Sequence, residues 1–274
     1  MRGTMPDSSA FANFAFPQKY THVNAVMIIT RFLGHVGRYF QLLGTAIARP
    51  EKATMYYRET MRQMNDIGVG SLVIVVLIAV FIGAVTAVQF AYQLQDSFVP
   101  RYYIGYIVRD TTIIELAPTI TCLVLAGKVG SNLAAELGGM RQKEHIDAME
   151  IMGVNTASYL IMPKIIGALI MVPMLVAIAA FVSVLGGYIA TVPVGLISHA
   201  EYELGVRSAF IPYNITLMFI KAFVFAFILT SVPCYQGYYV KGGSIELGKA
   251  STNAVVFSDI LILLFDYLIA VVFT

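Results

Sequence analysis

The chain has 274 residues, 58% of them hydrophobic and only 12% charged, with a net charge of +2. A mean hydropathy of +0.76 excludes a soluble α-helical domain, whose helices need charged outer faces. Basic residues do not run in blocks with interleaved aromatics, which excludes a nucleic-acid-binding protein.

Residues 1–24 are rich in Phe and Pro and are expected to be poorly ordered. They show no positive run leading into a short apolar core and cleavage site, so no signal peptide is expected. The stretch VMIITRFLGHVGRYFQLLGTAIARP then places Arg31, His35, Arg38, Thr45 and Arg49 on one helical face, with apolar side chains over the rest. That pattern predicts a helix over 25–49 lying in the membrane interface rather than across it, ended by Pro50.

Five spans follow, near 67–95, 105–130, 158–190, 208–235 and 251–273. No Asp, Glu, Lys or Arg occurs between Asp66 and Asp96, or between Lys164 and Glu201. About 20 apolar residues suffice to cross a bilayer. Pro173 predicts a kink in the third span and Gly186-Gly187 a point of close packing. TVPVGLISHAEYELGVR, after the third span, reads as a loop or short surface helix. Ser251 or Thr252 is the expected cap of the fifth span. Fourteen of the eighteen Lys and Arg fall on one side, three (Arg101, Arg109, Arg207) on the other, and Lys221 inside the fourth span. The positive-inside rule places the N-terminus in the cytoplasm and the C-terminus outside. The expected architecture is all-α integral membrane. It has an N-terminal interfacial helix, five transmembrane helices and a cytoplasmic helix, with residues 25–274 forming one transmembrane domain.

The stretch AAELGGMRQKEHIDAMEIMGV (134–154) gathers Glu136, Arg141, Lys143, Glu144, His145, Asp147 and Glu150 in an otherwise apolar chain. It lies between spans two and three, on the cytoplasmic side. Before and within it, Gly127, Ser131, Ala134, Ala135 and Gly138 are small enough to let helices approach closely in lipid. Residues 140–152 then read as an amphipathic helix. Lys143, Asp147 and Glu150 share one face, Ile146, Met149 and Met152 another, and Gly153 is a plausible C-cap. Two roles fit: a helix resting on the membrane, or a knob that docks on a cytoplasmic partner.

These residues resemble the MlaE permease family, the membrane subunits of MCE-associated ABC lipid transporters. The match runs through Ala135, Glu136, Leu137, Gly138, Met140, Arg141, Glu144, His145, Ile146, Ala148, Met149, Met152 and Val154 to Pro163 and Lys164. VFIGAVTAVQ, IIELAPTITCLVLAGKVGSNLAAE and GKASTNAVVFSDILILLFDYLIA resemble the family's first, second and last spans. The resemblance covers roughly residues 25–274. It implies that 140–152 is the coupling helix, with Arg141, Glu144, Asp147 and Met149 meeting an ABC ATPase that holds ATP and Mg. No cofactor is expected in this chain itself. It further implies a homodimer in the bacterial inner membrane, a lipid substrate, a periplasmic MCE-domain partner and a small cytoplasmic STAS-type accessory subunit. Two departures stand out. Ile114 occupies a position where the family commonly has Arg before the glutamate, and His145 stands where Gln is usual.

An ionisable side chain within a span costs at least about 2.5 kcal/mol by insertion measurements, so each one marks structure or function. Lys221 and Asp266 read as a structural interhelical pair, and Asp259 as a residue early in its helix near the interface. Glu115, just before Pro118, has no evident partner in its own span and is expected to face a cavity. By the resemblance it contacts lipid, together with Arg62, Gln89 and Tyr92.

Other chemistry finds no support. GSIELGKA (243–250) has G-x-x-x-x-G-K spacing but lacks the Ser or Thr, strand and soluble helix of a phosphate loop. His22, His35, His145 and His199 are scattered, with no metal-binding spacing. Cys122 and Cys234 read as buried small hydrophobes. Two readings from other classes stay open: a membrane-embedded lipid-modifying enzyme using Glu115 and His145, and a non-transporting envelope scaffold. The expected separation of His145 from Glu115 weighs against the enzyme.

Overall fold

The computed structural model describes residues 19–48, 53–94 and 98–273. Residues 1–18 of the N-terminal segment, together with Arg49 and Pro50 of the interfacial stretch, lie outside the described residues. Contacts divide the chain into Met1–Leu42 and Leu43–Thr274. In the first unit, helix α1 (Lys19–Ala48) begins, and Arg38 Nε donates to Gly34 O one turn earlier at 3.3 Å.

Among its described residues, the second unit holds five helical rods long and apolar enough to cross a membrane: Tyr56–Gln93, Tyr103–Gln142, Thr156–Thr191, Pro212–Tyr238 and Ser244–Phe273. The helix α1 is not among them. The fold is all-α, with no strand among the described residues. The first rod comprises α2 (Ala53–Met64), a π-helical turn (Asn65–Val69) and α3 (Gly70–Gln93). The second comprises α4 (Tyr103–Thr111), a π turn (Thr112–Leu116), α5 (Ala117–Leu125), a π turn (Ala126–Gly130) and α6 (Ser131–Gln142). Then come α7 (His145–Ile151), α8 (Thr156–Thr191), α9 (His199–Arg207), α10 (Pro212–Tyr238) and α11 (Ser244–Phe273).

Three sequence expectations are corrected. The first rod begins well before residue 67 and the second runs on past 130 to Gln142, because charged ends do not stop a helix that projects past the apolar layer. The cytoplasmic helix expected over 140–152 is shorter: Met140–Gln142 complete α6, and Glu144 turns the chain with φ 58 before α7 begins. Ser251 and Thr252 do not cap. The helix α11 starts seven residues before Ser251, and their hydroxyls donate back to Leu247 O and Gly248 O at 3.1 Å. That back-bonding to the i−4 carbonyl is available to Ser and Thr within a helix. Asp259 consequently lies midway along α11 rather than near its start.

The helix α7 closes as a Schellman motif. Gly153 takes φ 82, Val154 N–H donates to Met149 O at 3.1 Å, and Gly153 N–H donates to Glu150 O at 3.0 Å. Only a residue without Cβ adopts that left-handed turn at little cost. The helix α8 continues through Pro163 and Pro173. At the other end of the bundle, Ser198 and Glu201 form a capping box on α9. Hydrogen bonds from the Ser198 hydroxyl and N–H hold the Glu201 carboxyl below its usual range, so it caps as a carboxylate at neutral pH.

The central helix is α10, flanked by α5, α6, α8 and α11. The most extensive packing joins α3 to α8. Ser183 Oγ donates to Ala79 O at 2.9 Å across this seam. A Cβ at Gly83 would sit 1.7 Å from Ser183 O, and one at Gly186 would sit 2.4 Å from Val80 O. Backbone-to-backbone contact of this kind gives helices a large van der Waals contact in lipid, where the hydrophobic effect does not drive them together. Gly83→Leu should therefore cost at least about 1–3 kcal/mol through overpacking. A thermal unfolding scan in detergent should show a clear drop for Gly83→Leu and none for Gly248→Ala, where a Cβ meets nothing within 4 Å.

Candidate functional site

Lys221 lies on α10 with its side chain fully buried. Its Nζ donates to Glu115 Oε1 at 2.7 Å and lies 2.7 Å from Asp266 Oδ1. Thr119 Oγ1 donates to Asp266 Oδ2 at 3.0 Å. Three transmembrane rods thus converge on one ammonium. Two carboxylates on one cation leave a formal charge of −1. The pair is unequal in access: the Glu115 side chain is 44% exposed and that of Asp266 16%. Glu115 is the open member, with one face on Lys221 and the other toward the space beside the bundle.

The backbone explains how Glu115 reaches this position. Pro118 has no N–H, so the Ile114 carbonyl loses its partner four residues on, and the ring crowds that carbonyl. The helix widens there into the π turn Thr112–Leu116, which carries Glu115. Glu115 finds its partner on another span. Its cation comes from 106 residues later in the chain.

Gln89 and Tyr92 lie in the last turns of α3, on its exposed side, away from the buried stripe Gly83, Ala87 and Ala91. Arg62 is exposed on α2, at the far end of the same rod. Twenty-seven residues of helix separate it from Gln89, a span of about 40 Å. The fold does not bring Arg62 together with Gln89 and Tyr92 within the chain.

The charged segment around α7 is built as a strap. Arg141 Nη1 pairs with Asp147 Oδ1 at 2.8 Å and lies 3.7 Å from Glu150 Oε1, with its guanidinium 5.8 Å from the Tyr238 ring. Glu150 Oε1 accepts from Tyr238 Oη at 2.9 Å and from Thr156 Oγ1 at 3.2 Å. Tyr238 Oη and Thr156 Oγ1 lie 2.7 Å apart beside that carboxylate. Arg141 and Asp147 therefore tie α7 to the end of α6, and Glu150 holds it against the start of α8 and the end of α10. Glu144 is exposed and Met149 half-buried, while Ile151 and Met152 are 88% and 71% exposed. The outward apolar surface of this segment is Ile151 and Met152 more than Met149.

Two cations were not recognised from the sequence as buried. Lys164 Nζ donates to Glu136 Oε2 at 2.6 Å, joining α8 to α6. Arg109 donates to Val206 O and Ser208 O at 2.7 Å and to Ala209 O at 3.2 Å, tying the connection between α9 and α10 to the second rod. Backbone acceptors leave no mark in a sequence. The Glu136–Lys164 pair left only the weak signal of two charges at the edges of apolar spans.

The family model for Permease MlaE matches residues 60–272. The chain belongs to the MlaE permease family. A probable ABC transporter permease protein of Rickettsia bellii is 36% identical over 84% of this chain and 87% of its own length. The intermembrane phospholipid transport system permease protein MlaE of Haemophilus influenzae is 30% identical over 88% and 92%. The chloroplastic protein TRIGALACTOSYLDIACYLGLYCEROL 1 of Arabidopsis thaliana is 29% identical over 84% and 65%. The permease is accordingly a multi-pass membrane protein. Within it, Glu115, Lys221 and Asp266 form an ionic cluster inside the helix bundle.

Breaking a buried ion pair on one side costs about 3–5 kcal/mol, because the partner is left charged in a poor solvent. Lys221→Met should lower the unfolding temperature of the purified permease sharply. Adding Glu115→Gln and Asp266→Asn to that variant should recover most of the loss. A triple variant as unstable as the single one would show that Lys221 acts through packing rather than charge.

Proposed function

We propose that this permease is the transport subunit of an ABC system that moves a phospholipid between the bacterial inner membrane and a periplasmic MCE-domain partner. In this reading it works as a homodimer, with its N-terminus in the cytoplasm and C-terminus in the periplasm. ATP and Mg are held by a separate ATPase, and a small STAS-type subunit accompanies it. The similarity to the Haemophilus phospholipid permease supports the substrate class, and the excess of Lys and Arg at the α7 end supports the orientation.

The observation that carries the reading is the half-open Glu115 carboxylate on the fully buried Lys221. A lipid headgroup needs polar partners at membrane depth, and an ionisable group there is affordable only when it is paired and reached by water. Glu115 is paired, and its side chain is 44% exposed. Gln89 and Tyr92 present a polar edge and an aromatic ring on the open side of α3 for the rest of the route, and Arg62 stands at the opposite end of the rod. At the α7 end, Glu144 is the exposed charge available to a basic group on the ATPase. Met149, Ile151 and Met152 supply apolar contact, and Arg141 with Asp147 keeps the segment in place.

Reconstitution with its ATPase in liposomes tests both parts. Glu115→Gln keeps shape and leaves Lys221 paired with Asp266, so folded yield should change little. Lipid transfer should fall about tenfold, the loss expected when one charge-assisted contact to a headgroup is removed. Transfer at the unaltered rate would remove Glu115 from the route. Glu144→Lys should leave the permease folded and abolish its association with the ATPase. Unchanged complex yield and hydrolysis rate would leave α7 as a helix resting on the membrane.

A further inference from the structure

A cavity of about 570 Å³ opens at the α7 end of the bundle, between the first rod, α6 and α11. Its polar lining includes Gln63, Asp66, Lys128, Asn132, Glu136 and Ser251. Two of the three π turns among the described residues border it. Asn65–Val69 brings Asp66, and Ala126–Gly130 brings Lys128. Lys128 Nζ donates to Gly70 O, the residue that follows the first turn, and so joins the second turn to the start of α3. A π turn leaves the regular hydrogen-bond ladder and recurs at functional sites. Here two of them place opposite charges around one opening.

The charges have a definite pattern. Lys128 uses one of its three ammonium donors on Gly70. Glu136 is bonded to buried Lys164, yet its side chain is 44% exposed. Asp66 is exposed at the opening. Two carboxylates and two ammoniums sum to zero, so the site favours no net charge. It offers instead a cation to an anionic group and carboxylates to a cationic one. We propose that this cavity binds a group carrying both a phosphate and a primary ammonium, the chemistry of a zwitterionic phospholipid headgroup. Lys128 meets the phosphate, and Asp66 with Glu136 meets the ammonium. This goes beyond the reading of the chain as a lipid permease and rests on it for the lipid as source. The site is distinct from Glu115, which lies thirteen residues before Lys128 on the same rod, a separation of about 20 Å.

The test is photocrosslinking in the complete transporter complex, with p-benzoylphenylalanine in place of Ala135, an exposed residue of the cavity wall. The complex is reconstituted in vesicles of phosphatidylethanolamine and phosphatidylglycerol, and adducts are identified by mass. Phosphatidylethanolamine should dominate the adducts beyond its share of the vesicle. Lys128→Ala should lower the yield about tenfold, the weight of one charge-assisted contact. Glu115→Gln should leave it unchanged even where it slows transfer, which separates this site from the route described above. Soluble phosphoethanolamine that abolishes the lipid adduct would show that the headgroup alone is recognised. If phosphoethanolamine crosslinks and the lipid does not, the same chemistry is supplied from water. Adducts in proportion to vesicle composition, a crosslink to a second copy of the chain, or a yield indifferent to Lys128 would overturn the proposal.

Discussion

The arrangement of the bundle depends on the need to neutralise one ammonium. Lys221 on α10 is fully buried, and an isolated cation at that depth is unfavourable by at least about 2.5 kcal/mol. The central helix is therefore tolerated only where Glu115 and Asp266 converge on it, which places the second rod and α11 beside α10. A second pair repeats the device at the α7 end. Lys164 on α8 is buried and bonded to Glu136, whose side chain is 44% exposed like that of Glu115. Glu115 and Glu136 are twenty-one residues apart on the same rod, about 30 Å, close to the thickness of a hydrocarbon core. One rod thus carries two half-open glutamates, each fastened to a buried lysine on a different rod.

This construction relates stability to access. A fully enclosed ion cluster would only hold helices together. Leaving one carboxylate partly open keeps a charged, hydratable edge next to an apolar space, which suits a substrate with a polar head and apolar tails. The segment at the α7 end shows the same economy. Arg141, Asp147, Glu150, Tyr238 and Thr156 satisfy one another and hold α7 firmly, while Glu144, Ile151 and Met152 face outward. A displacement of α7 would reach α8 and α10 through Thr156 and Tyr238 before any side chain had to swing.

Much of the fold was legible because the bilayer imposes a simple rule of length and apolarity. The five spans and the short helix after the second follow from where charges are missing and where they gather. The ends of the first two rods were not legible, since helix continues into polar sequence without a stop signal, and Pro118 widens the second rod instead of breaking it. In the cluster, the cost of charge in lipid singled out Glu115, Lys221 and Asp266. It could not show that Glu115 belongs to Lys221, because a contact across 106 residues leaves no spacing. For the same reason Lys164 and Arg109 read as ordinary basic residues near the ends of spans. The π turns were invisible to a period of 3.6, yet each carries a charged residue: Asp66, Glu115 or Lys128.

The central claim is that the open face of Glu115 is where a headgroup meets the permease at membrane depth. Electron cryo-microscopy of the ATPase-bound complex in phospholipid nanodiscs measures this directly. The account predicts headgroup density within hydrogen-bonding distance of Glu115, with Lys221 still held between Glu115 and Asp266. Lipid tails packed against Glu115, with headgroups only at the two membrane surfaces, would contradict it.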